Sequence, residues 1–353
     1  MIDYPKYKII KDYVINKINT KEYYPNKRIP SENEFTDLLG VSGITVRKAM
    51  AELVNEGVIY RVKGKGSFVS DNSSKTSKKL ITLLLSGGDL HDGSYMKIIM
   101  GMQKFLSTKN YSLIVECSEQ DINKEREIIL RLIEKNVDGF VLYPDVPERS
   151  IENYQIIKSN NIPIVMIDRY SNRFPCNYLG LNNHDAFYLA TEYILNLKHK
   201  KIAFVAFEYY LSSENERFRG YCDALKNTGL EIIKENIFLQ KEINIDKLAA
   251  RIRKKELTAI MCVNDRRATR LIKELIEKGI KVPEDISIMG FDDEDASKDA
   301  EVALSTVRQN FEMLGYEASE MIVSAIEGHN YQYVRKQLGA ELVIRKSTSI
   351  NLD

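Results

Sequence analysis

In several places this sequence sets hydrogen-bonding side chains directly behind a short apolar run. Ser86-Gly87-Gly88 follows the run 80–85, Asp168-Arg169 follows 164–167, Asn264-Asp265 follows 260–263, and Asp292-Asp293 follows 288–291. Carboxylates, an amide and a guanidinium converging on one place suit a polyol, because each hydroxyl both donates and accepts. Any one of these residues alone reads equally well as a solvated loop carboxylate or a helix cap. Their recurrence behind run after run favours a shared crevice at the carboxyl ends of parallel strands. A second set lies near the N-terminus and is basic. Ser42, Ile44, Thr45, Arg47 and Lys48 are followed by Arg61, Lys63, Gly64, Lys65 and Gly66. Hydroxyls can bond phosphates or base edges, and the cations neutralise phosphate.

The elements that must carry these groups differ between the two ends of the chain. Residues 7–18 repeat apolar side chains at three- and four-residue spacing, the period of a helix. Ser31 with Glu34 forms a capping-box pattern for a second helix, which Gly40 closes. A short turn at 41–43 leads into a third helix over 44–56, closed by Gly57. A helix, a tight turn and a second helix is the layout that enters a DNA major groove. Residues 58–69 then read as two strands joined at Lys63-Gly64-Lys65-Gly66, a hairpin with cations at its tip. Such a turn alone is an ordinary surface feature; its place after the helix pair makes it a wing. Residues 71–79 are polar and read as a flexible linker. Beyond them, β-branched runs at 80–85, 112–115, 139–142, 162–167, 202–205, 259–263 and 286–289 alternate with helical stretches. That alternation predicts an α/β body with enough strands for two parallel sheets flanked by helices.

At 353 residues the chain should hold two or three folding units. The net charge of +1 conceals an asymmetry: residues 1–79 carry +6 and the remainder −5. Only the N-terminal part is therefore expected to meet a polyanion. No apolar stretch is long enough to span a membrane, and no signal-peptide pattern opens the chain, so a cytoplasmic location is expected. Cys117, Cys176, Cys222 and Cys262 form no CxxC pair, so buried free thiols are expected rather than a metal site or disulfides. No GxSxG elbow, HExxH or Walker loop occurs, and no cofactor or catalytic residue is expected.

The blocks Ile29-Pro30-Ser31-Glu32-Asn33-Glu34, Val41-Ser42-Gly43-Ile44-Thr45-Val46-Arg47-Lys48-Ala49 and Gly64-Lys65-Gly66-Ser67-Phe68-Val69 resemble the signature blocks of the GntR family of winged-helix repressors. The resemblance covers about residues 4–70. It departs at Gly43 and Asn33, where that family usually has arginine. With it, the candidate DNA-contacting set is Ser31, Ser42, Ile44, Thr45, Arg47, Lys48, Lys63, Gly64 and Lys65.

The blocks Ile167-Asp168-Arg169, Leu181-Asn182-Asn183, Glu216-Arg217-Phe218-Arg219-Gly220-Tyr221, Val263-Asn264-Asp265, and the run from Val282-Pro283-Glu284-Asp285 to Phe291-Asp292-Asp293 resemble the LacI/GalR-type, periplasmic-binding-protein-like effector domain. That resemblance covers about residues 80–348. It implies two α/β lobes with crossovers near residues 178, 308 and 338. It also implies sugar contacts at Asp168, Arg217, Asn264, Asp292 and Gln309, with Tyr95 stacking on the ring. The loop 87–95 departs from the family's asparagine-proline-aromatic sequence. A GntR-type head on a LacI-type body resembles the arabinose-repressor group. That pairing implies a homodimer on palindromic operator DNA, with L-arabinose or a related sugar as inducer. Two other readings stand beside it. A transport-type sugar-binding protein without a regulatory role would leave the basic head unexplained. An enzyme would show turnover of a bound sugar.

Overall fold

A computed structural model describes residues 6–70, 79–87, 93–206, 211–239, 243–298, 300–328 and 332–352. The chain divides into two compact units, Met1–Lys78 and Lys79–Asp353.

The first unit holds α1 (Lys6–Asn19), α2 (Glu32–Leu39), α3 (Gly43–Asn55) and a hairpin of β1 (Ile59–Val62) and β2 (Gly66–Val69). Ser31 caps α2 in a complete capping box with Glu34, and Gly40 ends it in the left-handed region. Ser42 caps α3 and accepts from the Thr45 amide at 3.3 Å. Val46, Ala49, Met50 and Leu53 turn the inner face of α3 onto Ile10, Val14 and Phe35, leaving its N-terminal face outward. In the hairpin Val62 pairs with Gly66, and the turn between them carries Gly64 at φ +75°. An L side chain is strained at that angle, which glycine accepts.

The second unit runs through β3 (Lys79–Leu85), α4 (Gly93–Leu106), β4 (Tyr111–Cys117), α5 (Ile122–Glu134), β5 (Gly139–Tyr143), α6 (Ile151–Ser159), β6 (Ile164–Ile167) and β7 (Asn177–Leu181). It continues with α7 (Asn183–Asn196), β8 (Ile202–Ala206), α8 (Ser212–Asn227), β9 (Ile237–Leu239), α9 (Ile245–Arg253), β10 (Ala259–Cys262), α10 (Asp265–Glu277), β11 (Ser287–Met289) and α11 (Asp295–Lys298). It closes with β12 (Thr306–Arg308), α12 (Phe311–Ile326), β13 (Arg335–Leu338) and β14 (Glu341–Val343). Six parallel strands in the order β13-β7-β6-β5-β3-β4 make the first lobe, and four in the order β11-β10-β8-β9 make the second. Apolar side chains cover both faces of each sheet, as parallel strands require. The chain leaves the first lobe after β7, returns after β12 so that α12 packs on α4, and leaves again between β13 and β14. Gly101 and Gly315 permit the α4–α12 crossing: a Cβ at either would strike the facing helix backbone.

Lys79, expected at the end of the linker, instead opens β3. Its amide donates to Asn110 O at 3.2 Å and its ammonium to the Tyr111 hydroxyl at 3.4 Å, so the second unit begins one residue earlier than residue 80. The rest of that linker, residues 71–78, and residues 88–92 of the loop 87–95 lie outside the described residues. All four cysteines are free thiols. Cys222 and Cys262 are buried, whereas Cys117 and Cys176 are only half-buried. Among the described residues no helix is long and apolar enough to cross a membrane.

Candidate functional site

The outward face of the first unit gathers the N-terminal end of α3 and the wing. Ile44 projects from the first turn of α3 and is 78 % exposed, a large apolar side chain offered to solvent where a thymine methyl could meet it. Thr45 and Ser42 share a hydroxyl–hydroxyl bond of 2.8 Å beside it. Lys63, Gly64 and Lys65 form the exposed wing turn. Lys48 leans back, its ammonium 4.3 Å from the centroid of Tyr7. The Ser31 hydroxyl accepts from the Glu34 amide. Arg47 stands 3.5 Å from Glu32, which also accepts from Arg61 at 2.9 Å. Gly43 is open: a Cβ there meets nothing within 4 Å. Arg28 lies against the wing, its Nε 3.0 Å from where a Cβ of Gly66 would be.

The second unit gathers polar side chains at the carboxyl ends of its strands. Asp168 follows β6 at φ +65°, and Asp292 and Asp293 follow β11 at φ +116° and +55°. Strained backbone of this kind persists only where surrounding structure imposes it, and it clusters at ligand sites. Arg217, on the inner face of α8, is 5 % exposed. Its Nε donates to Asn183 Oδ1 at 2.8 Å, and one terminal nitrogen donates to Val263 O at 2.5 Å. Its other terminal nitrogen stands 3.7 Å from Asp292, and its guanidinium lies 3.8 Å from the Phe291 ring centroid. Gln309 donates to the same Asp292 oxygen at 2.6 Å. Burial pushes the Asp292 carboxyl well above its ordinary range, and the Arg217 charge opposes that rise. Asn264 caps α10 through Oδ1, which leaves its amide nitrogen as the group that can serve a ligand.

On the first lobe Tyr95 meets Tyr143 edge-to-face at 5.4 Å, and its hydroxyl fills the space a Cβ of Gly87 would need. Burial raises the Tyr143 phenol, and Asp168 and Asp292 act on it in the same sense. Contacts across the cleft tie the lobes together. The Tyr170 hydroxyl donates to Glu216 at 2.9 Å, the Tyr170 amide donates to Ser212 at 3.0 Å, and Lys97 pairs with Asp295 at 3.3 Å. The carboxylates next in sequence serve the fold. Asp265 accepts from Thr306 at 2.5 Å and from the Glu294 amide at 2.9 Å. Asp293 is held by Arg308 at 2.7 Å and Arg345 at 2.5 Å.

Comparison with known proteins fits both halves. Residues 6–69 match the model of bacterial regulatory proteins of the gntR family, and residues 191–348 match a periplasmic binding protein-like domain. The arabinose metabolism transcriptional repressor of Halalkalibacterium halodurans is 30 % identical, over 91 % of this chain and 89 % of that protein. The chain belongs to the family of arabinose metabolism transcriptional repressors. The repressor of the same description from Geobacillus stearothermophilus is 27 % identical over 98 % of both chains. Among solved structures, the transcription regulator CcpA of Lactococcus lactis superposes with a TM-score of 0.69 at 22 % identity. That likeness covers 77 % of this chain and 99 % of CcpA. A LacI family regulator from Enterococcus faecium with bound ribose gives 0.66 at 22 % identity, over 77 % of this chain and all of that one. Both likenesses show the fold.

In this repressor, Arg217, Asp292 and Gln309 form one bonded cluster, with Asn264 behind the neighbouring strand β10. Asp168 and Tyr95 stand on the first lobe, Tyr95 against Tyr143. Sequence reasoning passed over Tyr143, although it ends an apolar run as Asp168 does. It also passed over Glu214, buried in the first turn of α8. At the head it passed over Arg28, a basic residue just before the helix pair, and Glu32, an acid in the first turn of α2 whose sign gave no cue for DNA contact.

Proposed function

We propose that this protein is a sugar-controlled transcriptional repressor whose winged head binds palindromic operator DNA as a homodimer and whose two-lobed body takes L-arabinose, or a related monosaccharide, as inducer. The observation that carries this reading is the bonded cluster of Arg217, Asp292 and Gln309 near the carboxyl ends of the second lobe's strands, in the same chain as a basic winged head. A sugar lying between the lobes would offer hydroxyls to the carboxylates and an apolar face to Tyr95. Because it would contact both lobes, as the Lys97–Asp295 and Tyr170–Glu216 pairs do, it favours the closed arrangement. The cleft binds and releases rather than reacts: the Asp292 carboxyl accepts from the Gln309 amide and faces the Arg217 guanidinium, which orient it toward hydroxyls. The protein needs no cofactor and works in the cytoplasm, where its operator is.

The head's part falls to Ser31, Ser42, Ile44, Thr45, Arg47, Lys48 and the wing residues Lys63, Gly64 and Lys65. The half-sites they read lie one helical turn apart, about 10 base pairs, or a multiple of it. A thermal-shift series against a panel of monosaccharides tests the ligand assignment. A specific sugar stabilises by RT ln(1+[L]/Kd), about 2.7 kcal/mol at a hundredfold excess over Kd. L-Arabinose should raise the midpoint and its epimers should do so less; a panel in which no pentose moves it rejects the assignment.

A further inference from the structure

Glu32 is the first residue of α2, immediately behind the Ser31 cap. Its two carboxylate oxygens are divided between two arginines. Oε1 accepts from Arg61 at 2.9 Å, and Oε2 lies 3.5 Å from Arg47 Nε. Arg47 sits on α3 and Arg61 on wing strand β1, so one acid joins the two elements that would carry cations to DNA. Both arginines stay accessible, with side chains 68 % and 47 % exposed, and Glu32 is 33 % exposed between them. A carboxylate there presents two acceptors to two guanidiniums, as a phosphate does. Its place at a helix N-terminus is electrostatically favourable, so the acid sits there without penalty.

We propose that Glu32 is a specificity-determining residue, an internal phosphate substitute that suppresses binding to random DNA. The inference rests on the reading that the head binds DNA. Non-specific binding comes almost wholly from counterions released as cations neutralise phosphates. An arginine still shared with Glu32 neutralises less phosphate, so random duplex gains little from it. An operator whose bases engage the head holds it close enough for its phosphates to take both guanidiniums from the acid. Glu32 therefore lowers affinity for random DNA more than affinity for the operator.

The test uses the full-length protein and its Glu32→Gln variant. The probes are the best duplex the wild type selects from a random pool and a scrambled duplex of equal length, read by fluorescence anisotropy across a salt series. One further phosphate neutralised steepens the log–log salt slope by about 0.9, which is about eightfold in affinity per decade of salt. For Glu32→Gln on scrambled DNA we expect that steeper slope and binding several-fold tighter at low salt. Affinity for the selected duplex should change by less than half as much, so discrimination falls. Glu34→Gln is the control: it removes the same charge, but its carboxylate is held by the Ser31 amide at 2.6 Å. It should leave discrimination unchanged. Unaltered slope and affinity on scrambled DNA would overturn the proposal. So would an equal effect from Glu34→Gln, which would make it a matter of net charge, or a loss confined to the selected duplex, which would make Glu32 a base reader. A wild type that enriches no duplex would instead refute the underlying DNA-binding reading.

Discussion

Replacing Arg217 by methionine should damage both the body's stability and its sugar binding, and the structure sets the size of the damage. The side chain is 5 % exposed, and Met keeps most of its length and volume, so the cavity contribution is small. What is lost is the bond to Asn183 Oδ1 at 2.8 Å, the bond to Val263 O at 2.5 Å, and the positive charge 3.7 Å from Asp292. Each bond from a charged donor contributes about 1.5–3 kcal/mol, and removing one partner of a buried pair costs about 3–5 kcal/mol in total. The pH dependence has a definite sign. Burial already holds the Asp292 carboxyl well above its ordinary range while Arg217 opposes the rise, so without Arg217 it climbs further. An acid that keeps its proton in the folded state loses stability as pH rises from its unfolded value of about 4 to its folded one, at about 1.4 kcal/mol per pH unit. Wild type and variant share that loss up to the wild-type folded value; above it only the variant keeps losing, so the penalty of Arg217→Met should grow with pH from there. Urea unfolding at pH 5 and pH 8, with sugar titration by calorimetry, measures both effects. A penalty below about 1 kcal/mol, or one that shrinks as pH rises, would refute the reasoning about Asp292. Intact sugar affinity would refute the cleft assignment.

Two further perturbations address the head. Gly43 begins α3, and a Cβ there meets nothing within 4 Å, so Gly43→Arg fits without strain and adds a cation at the groove end of the helix. It should steepen the salt dependence of DNA binding by about 0.9 and add preference at one base pair of about 1–3 kcal/mol; unaltered binding to every duplex would show that this end of α3 does not face DNA. Lys63→Ala removes an exposed cation from the wing turn and should lessen the salt slope by about 0.9 while sugar affinity holds. An unaltered slope in gel-shift titrations would take the wing out of the interface.

Much of this layout is legible in the chain because its signals are local. Ser31 with Glu34, and Gly40 behind them, announce α2 by capping chemistry that needs no tertiary context. Seven of the ten strands of the two parallel sheets announce themselves as apolar runs, because parallel strands are buried on both faces; β7, β9 and β13 are not read as strands from the sequence. The pieces β13, reading Arg-Lys-Gln-Leu, and β14, reading Glu-Leu-Val, carry no such run. They lie at sheet margins with exposed side chains, and pairing partners far away in sequence define them. The same limit applies at the cleft. That a polar residue follows a strand is visible in sequence, but which of two adjacent carboxylates serves the ligand is not. Asp292 turns to Gln309 and Arg217, whereas Asp293 turns to Arg308 and Arg345, a division made by side chains up to 75 residues away. Arg47 reads as a free cation, and only the folded head shows it beside Glu32.

Sugar control requires coupling between the two units, and one titration measures it. Operator duplex bound to the full-length protein is titrated with L-arabinose while anisotropy reports DNA affinity and calorimetry reports sugar affinity. Coupling of about 1–3 kcal/mol corresponds to a fall in operator affinity of about 5- to 150-fold at saturating sugar, with an equal fall in sugar affinity when operator is bound. Sugar that binds the body to saturation and leaves operator affinity unchanged would contradict the claim that this protein is a sugar-controlled repressor.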